Sequence, residues 1–137
     1  MTPYPEVVIV GIGQVPVGEH WDISLRELAG RALRSARKDA ADLVPQAVYV
    51  GSMLAASASH QANLGALICE VAGLAGQAEG ITAEAAEASG AAALYLAWQA
   101  IRSGMVDVAA VVGVEKVTDV VGAGQELELL GASLDAD

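Results

Sequence analysis

The sequence predicts an α/β protein built on a mostly parallel sheet. Three observations support this fold class: short β-branched runs alternate with longer segments of helical periodicity, the runs are mostly apolar, and a glycine lies at or next to one end of each run. Continuously apolar strands are typical of parallel sheets, in which helices cover both faces. We therefore expect the order βαβαβαβ, with right-handed crossovers between the strands.

The first strand and the first helix are predicted by local signals. Residues 7–13 form a β-branched run that ends at glycines, which predicts a buried strand. After a loop, Ser24 and Glu27 match the Ser-x-x-Glu capping box, and apolar residues then recur at helical spacing. This helix should end near Lys38, where positive charge stabilises the C-terminal end of the helix dipole.

Three further strands and two helices follow in alternation. The second strand is predicted at Ala47–Gly51, and the second helix at about residues 61–72, after a Ser/Ala-rich loop. Residues 80–85 predict a third strand that is weak by propensity, because Glu and Ala are poor strand formers. The third helix should span about residues 89–103, and the clearest apolar run predicts the fourth strand at residues 106–114.

Length and composition indicate one small acidic domain. We expect an α/β domain over residues 1–116, followed at residues 117–137 by the start of a weakly structured loop region with one short helix near Gln125–Leu130. Seven basic against seventeen acidic residues give a net charge of −10, which disfavours nucleic acids and anionic membranes as partners. The apolar runs are shorter than the roughly 20 residues of a membrane span, and the N-terminus lacks the basic flank of a secretory signal, so we expect a cytoplasmic protein.

Two isolated signals for chemistry are weak. Cys69, the single cysteine, lies in an apolar helical stretch with no nearby group that would lower its pKa, so we expect it to pack in the core. One cysteine and no paired histidines predict no zinc site. Gly11 and Gly13 follow a predicted strand as in dinucleotide-binding motifs, but Pro16 takes the place of the third glycine, which argues against nucleotide binding.

The third helix lacks a polar face. Between Ala91 and Ile101, only Gln99 is polar. A surface helix keeps one polar face toward water, so a helix that is apolar all round has to be covered on both sides. The other predicted strands and helices can cover one side of this helix. We therefore expect a partner, or a part of the fold that the sequence does not encode, to cover the other side.

The turn before this helix resembles that of a known family. The run Ala86-Glu87-Ala88-Ser89-Gly90, followed by the apolar helix, resembles the Ala-Cys-Ala-Ser-Gly turn that presents the nucleophilic cysteine in thiolases. Residues 8–14, residues 61–66 with 72–74, residues 97–104 and residues 111–118 resemble the family in the same order, and the last block is most similar to sterol-carrier-protein-type thiolases. The resemblance implies a thiolase-like N-terminal half domain whose third helix lies at the centre of a five-layered α-β-α-β-α sandwich.

Glu87 stands where the family has its nucleophile. A thiolase needs a thiolate to attack a thioester carbonyl, and the acyl adduct of a carboxylate would be a labile mixed anhydride. Two interpretations remain open: Glu87 caps the helix in a domain that has lost catalysis, or it acts as a general base in altered chemistry such as decarboxylation or retro-aldol cleavage. We expect His20 and His60 to be solvated or capping residues that do not replace the family's catalytic histidine.

The resemblance also implies a ligand and partners. The family's C-terminal half and most of the loop that binds coenzyme A have no counterpart in the sequence. We expect a non-catalytic or partner-dependent subunit or fragment of an acyl-coenzyme A acyltransferase, with a coenzyme A thioester as candidate ligand and no covalently bound cofactor. The implied partners are a second copy joined through the third strand, a C-terminal thiolase half, or an OB-fold and zinc-ribbon protein. The alternatives are a split acyl-coenzyme A enzyme that uses Glu87 as base and a plain α/β binding module.

Overall fold

The computed structural model describes residues 6–119 and 125–134. Helices and strands alternate along the chain in the order α1 Leu25–Asp39, β1 Ala47–Gly51, α2 Ala55–Ala58, α3 Leu64–Val71, β2 Glu79–Ala83, α4 Ser89–Arg102, β3 Ala109–Gly113 and α5 Gln125–Leu130. A 3₁₀ turn at Gly131–Ser133 follows α5. None of the described helices has the length and hydropathy that crossing a membrane requires.

The strands form one parallel sheet in the order β2-β1-β3 within the described residues. β1 is central, and Tyr49 lies beside Ile81 of β2 and Val111 of β3. All of β1 is buried, because α1 and α3 pack on the face that carries Val48 and Val50 while α4 packs on the opposite face. These three layers confirm the predicted α/β class.

Helix α1 begins where its sequence signal predicts. Ser24 Oγ accepts a 3.3 Å hydrogen bond from the Glu27 N–H, and the helix ends at Asp39. The Glu27 carboxylate binds Arg31 at 3.2 Å and Arg34 at 2.7 Å on the surface of the helix. The capping signal therefore located this helix to within a residue at each end.

The predicted strand at residues 7–13 is wrong, because this segment pairs with none of the three strands. Its backbone lies along α1, where the Ile12 N–H donates to Asp39 Oδ2 at 2.9 Å. Gly13 permits this approach, since a Cβ there would lie 2.2 Å from Ala36 N. An apolar groove separates the segment from β3. The part of the chain that the structure describes therefore contains three strands, where the expected order βαβαβαβ has four.

Other boundaries also differ from prediction. The second helix begins later than residue 61, because Asn63 takes a left-handed conformation with φ of 55° just before α3. The Ser/Ala-rich loop contains the short helix α2. The third and fourth predicted strands, residues 80–85 and 106–114, shorten to β2 and β3, since each pairs only along the five residues of β1. Helices α4 and α5 lie where predicted.

Helix α4 packs its small residues against the sheet and exposes its large ones. The buried residues are Ser89, Ala93, Ala97 and Ala100. The exposed apolar residues include Leu94, Tyr95, Leu96 and Trp98, of which Tyr95 keeps 58% of its surface accessible. A surface helix shows the opposite arrangement. Within residues 6–119 and 125–134, the chain thus covers only one side of the helix, as predicted.

Candidate functional site

The candidate site is the turn that joins β2 to α4. Ser89 Oγ closes this turn, because it accepts a 2.9 Å hydrogen bond from the Ala85 N–H and donates one of 2.6 Å to the Ala86 carbonyl. The Glu84 carboxylate accepts from the Ala86 N–H at 2.6 Å. These bonds hold Ala86 at a φ of 49°, a conformation that residues with a Cβ seldom adopt. The position of Glu87 relative to the helix is therefore fixed by its neighbours.

Glu87 lies exposed on this turn, two residues before the first residue of α4. Its Oε1 accepts a 2.6 Å hydrogen bond from Ser133 Oγ in the 3₁₀ turn. That bond, together with a backbone N–H of the turn, lowers the pKa of Glu87, so its carboxylate is ionised at neutral pH. The expectation that Glu87 caps the helix is wrong: the N-cap is Ala88, and no side chain bonds to the helix N-terminus there.

A second carboxylate lies at the same edge of the sheet. Glu115 follows β3 and accepts hydrogen bonds from Ser52 Oγ at 2.7 Å, from the Met53 N–H at 2.7 Å and from the Leu54 N–H at 3.1 Å. The turn that carries Glu87 follows the carboxyl end of β2, and Ser52 follows that of β1. Ligands of open α/β sheets bind at the carboxyl ends of the strands, so this edge is the place where a site is expected.

Comparison with known proteins shows the family to which this chain belongs. Residues 7–132 match the family model described as "Thiolase, N-terminal domain". The chain belongs to the thiolase family. Its thiolase domain is 40% identical over 120 residues to the acetyl-CoA acetyltransferase of Methanothermobacter thermautotrophicus, a match that covers 85% of this chain. It is 43% identical over 122 residues to that of Methanocaldococcus jannaschii, covering 86% of this chain.

The thiolase domain spans 30% of the length of each of these two curated relatives. A solved structure, the acetyl-CoA acetyltransferase of Syntrophomonas wolfei, has the same fold with a TM-score of 0.71 and 23% sequence identity. That match covers 80% of this chain and 28% of the solved one. The chain therefore corresponds to the N-terminal part of a longer thiolase fold.

Of the other residues considered for chemistry in this thiolase domain, Cys69 and His20 make contacts within the fold, and His60 is exposed. Cys69 is buried in the core, which confirms its predicted packing role, and burial raises the pKa of its thiol. His20 Nε2 lies 2.9 Å from the Pro16 carbonyl, and His60 is exposed after α2 with φ of 50°. Neither histidine bonds to Glu87. No group of three or more His, Cys, Asp or Glu suited to a metal ion occurs in residues 6–119 or 125–134.

A buried ion pair ties the segment after β3 of the thiolase domain to the loop before α1. Lys116 Nζ lies 3.1 Å from Asp119 Oδ2 and donates to the carbonyls of His20 and Ile23. Asp119 also accepts from the His20 N–H at 2.8 Å. Burial raises the pKa of Asp119, but the His20 N–H and the Lys116 ammonium outweigh it, so the net pKa is lowered. The pair fixes the segment that carries Glu115.

Sequence reasoning missed both Ser133 and Glu115. No local signal could have found Ser133, since it lies 46 residues after Glu87 and meets it only through the fold. Glu115 had a signal: it follows the carboxyl end of an apolar strand, where polar side chains of α/β proteins gather. This edge of the sheet therefore carries two separate carboxylate–hydroxyl pairs, Glu87 with Ser133 and Glu115 with Ser52.

Proposed function

We propose that this chain is a thiolase N-terminal half domain that works as a subunit of an acyl-coenzyme A enzyme and does not carry out the thiolase reaction by itself. The observation that supports this proposal is the outward face of α4, where Leu94, Tyr95 and Trp98 remain exposed. Fully burying a large apolar side chain is worth roughly 1.5–3 kcal/mol, so covering this face would stabilise a complex substantially. A polypeptide that supplies the remainder of the thiolase fold is the partner that fits best.

Glu87 supports the loss of the thiolase reaction. The resemblance of its turn to that of the family puts the Glu87 carboxylate where a thiolate would be needed, and an ionised carboxylate whose pKa is lowered by Ser133 is a poor nucleophile toward a thioester. A coenzyme A thioester remains the candidate ligand of the assembled complex, which we place in the cytoplasm. No covalently bound cofactor is required by this proposal.

The second candidate is a split acyl-coenzyme A enzyme in which Glu87 acts as base. The exposed, ionised carboxylate of Glu87, which lies just before the N-terminus of α4, favours this second candidate. Its lowered pKa opposes it, because a general base works best when its pKa lies near the working pH. A partner that excluded water from the site would raise this pKa, so the two candidates have to be distinguished in the complex.

The choice of partner can be tested by association. The part of the M. thermautotrophicus relative beyond its match to this chain, co-expressed as a separate polypeptide, should co-purify with this chain at equal stoichiometry by light scattering. Tyr95→Glu on α4 should prevent this association, whereas Trp21→Glu, which changes another exposed aromatic residue outside the helix, should not. A stable monomer that ignores the added polypeptide would contradict the proposal. If the chain alone forms dimers, a second copy would be the favoured partner. The exposed edge strand β2 could pair with a strand of that copy.

The loss of the nucleophile can be tested in the same complex. Glu87→Cys should raise thiolysis of a 3-ketoacyl-coenzyme A by more than about a hundredfold, because removal of a nucleophile can cost about 10⁶-fold. Ala88→Cys, which places the thiol one residue later on the same turn, is the matched control and should stay inactive. An assembled Glu87→Cys complex without activity would argue that more than the nucleophile has been lost. If the unmodified complex turns over a thioester and Glu87→Gln abolishes this, the split enzyme is the better description.

A further inference from the structure

A cavity of about 580 Å³ opens at the edge of the sheet opposite the Glu87 turn. Its lining includes Gln46 before β1, residues 76–79 at the start of β2, and Met105 and Val106 before β3. The three strands are parallel, so their amino ends meet at this edge, whereas the turn that carries Glu87 follows the carboxyl end of β2. The cavity is therefore separate from the candidate site.

Tyr49 reaches this cavity through its ring. Its backbone lies in the middle of β1, beside Ile81 and Val111, and neither of these neighbours lines the cavity. The ring lies on the face of the sheet that α4 covers, where it packs in one cluster with Ala97 and Ala100. Because the hydroxyl is the far end of this side chain, it is the part of Tyr49 that extends to the cavity.

The Tyr49 hydroxyl makes no hydrogen bond within residues 6–119 and 125–134, although only 6% of the surface of Tyr49 is accessible. Buried tyrosines usually place their hydroxyl against a donor or an acceptor, because burial takes water away from a group that then needs another partner. Phenylalanine would fill the same space between β1 and α4 without leaving a polar group unpaired. A polar molecule in the cavity would supply the partner that the described chain does not.

A carboxylate lies on the same face of the sheet as this hydroxyl. Glu79 pairs with Ala47, and side chains alternate along a strand, so Ala47, Tyr49 and Glu79 all project from the face that α4 covers. Among the described residues that line the cavity, Glu79 is the only charged one. The chain also has a net charge of −10, so its field attracts cations and repels anions.

The remaining lining residues limit the size and polarity of the ligand. A carboxylate only accepts hydrogen bonds, and a hydroxyl oxygen also accepts them, so a molecule that contacts both Glu79 and Tyr49 has to be a donor. Met105 and Val106 add an apolar wall. A positively charged donor on a short hydrocarbon chain therefore matches the charge, the hydrogen bonding and the apolar wall of the cavity.

We propose that this cavity binds a small primary alkylammonium ion. The ammonium group has three N–H donors and no acceptor, so it donates both to the Glu79 carboxylate and to the Tyr49 hydroxyl oxygen. The hydrocarbon chain packs on Met105 and Val106. Charge-assisted hydrogen bonds are stronger than neutral ones, so Glu79 contributes most of the affinity. The proposal is independent of the proposed function, because this edge of the sheet lies opposite the one that carries Glu87.

NMR titration of the ¹⁵N-labelled chain with n-butylammonium chloride tests the site. The backbone amides of Glu79 and Val106 should shift along saturable curves, whereas that of Ser52, at the other edge of the sheet, should not. Potassium chloride at the same ionic strength controls for the general attraction of cations to an acidic protein, and tetramethylammonium chloride supplies the charge without N–H donors. Shifts that do not saturate, or that are equal with all three salts, would overturn the proposal and leave a cavity that holds only water.

Tyr49→Phe tests the hydroxyl, because it removes the oxygen and keeps the ring. The temperature of unfolding should not fall, since this hydroxyl has no hydrogen-bond partner in the described chain, whereas the affinity for n-butylammonium should fall at least about threefold. Tyr95→Phe removes an exposed hydroxyl outside the cavity and is the matched control, with unchanged affinity expected.

Glu79→Gln tests the charge. It should lower the affinity for n-butylammonium at least about tenfold, because a carboxamide replaces the acceptor of a charge-assisted hydrogen bond. Glu70→Gln, at an exposed position outside the cavity, should leave the affinity unchanged. Glu79 is itself exposed, so this pair decides the matter if Tyr49→Phe does not fold. Unchanged affinity in Glu79→Gln, or in a folded Tyr49→Phe, would overturn the site.

Discussion

The Ser133 hydroxyl donates a 2.6 Å hydrogen bond to Glu87 Oε1, so the 3₁₀ turn after α5 contacts the turn before α4. Two segments that lie 46 residues apart in the sequence thus meet at Glu87. The contact lowers the pKa of Glu87, and removing the hydroxyl tests this effect.

Ser133→Ala should raise the pKa of Glu87 toward the ordinary glutamate value of about 4.3, because it removes the hydrogen bond that favours the charged carboxylate. NMR titration of the Glu87 carboxyl carbon measures this change. Ser103→Ala is the matched control, since its hydroxyl donates to the Ala100 carbonyl within α4 and touches no carboxylate. An unchanged pKa in Ser133→Ala would show that the contact does not set the ionisation state.

The buried pair of Lys116 and Asp119 should be a main determinant of stability. Lys116→Met should lower the free energy of unfolding by about 3–5 kcal/mol, because Asp119 would keep its charge without its buried partner. Urea unfolding measures the loss. Arg31→Met, which breaks the exposed pair with Glu27, is the control and should cost less than about 1 kcal/mol. Equal losses in the two variants would contradict the role of burial.

Acid should destabilise the domain through Asp119. Its pKa is lowered in the folded state, so its contribution is present above the unfolded pKa of about 4 and is lost as the pH falls through the lower folded value. Thermal unfolding between pH 6 and pH 2 should show this loss in the unmodified chain, and Asp119→Asn should show a shallower dependence below pH 4. Parallel curves for the two proteins would exclude Asp119 as the cause.

Glu115→Gln should loosen the loop after β1. The carboxylate accepts three hydrogen bonds, and a carboxamide offers only one oxygen, so the expected cost is about 1.5–3 kcal/mol. Amide exchange at Met53 and Leu54 should accelerate in parallel. Glu70→Gln on the exposed side of α3 serves as the control and should leave both measurements unchanged.

Gly13→Ala should detach the N-terminal segment from α1, because the added Cβ would lie 2.2 Å from the Ala36 backbone nitrogen. The Ile12 amide, bonded to Asp39 in the folded chain, should then exchange at least about tenfold faster. Gly18→Ala, where a Cβ meets nothing within 4 Å, should have no such effect. Unchanged exchange at Ile12 in Gly13→Ala would mean that the segment is held by other contacts.

Elements with complete local signals were predictable from the sequence. The capping pair Ser24 and Glu27 located α1, and continuous apolarity located the central strand β1. The strand predicted at residues 7–13 was wrong because the prediction used only the local sequence. Their β-branched composition indicates a chain suited to a sheet, but it carries no information about whether a neighbouring strand is available. The left-handed residue Asn63, which delays α3, likewise has no signature in a helical apolar pattern.

The contacts of Glu87 were not predictable from the sequence. The resemblance of the turn singled out Glu87 as a candidate, and this assignment stays a prediction, whereas the bond of Glu87 to Ser133 depends on how the chain returns over 46 residues. The capping role considered for Glu87 was wrong because capping requires the side chain of the residue at the N-cap position. The strained turn at Ala86 places Ala88, not Glu87, at the N-cap of α4. Exposure of the large residues of α4, by contrast, followed directly from the lack of polar positions in its sequence.

Selection for the folding of this domain acts only weakly on the residues of the outward face of α4. Substitutions at Leu94 or Tyr95, which keep 53% and 58% of their surface accessible, should alter the stability of the isolated chain less than substitutions at the buried residues Ala93 and Ala97. The identities of Leu94 and Tyr95 would instead be maintained by the polypeptide that meets them. Under the proposed function, a change on this face would be matched by a compensating change in the residues that cover it.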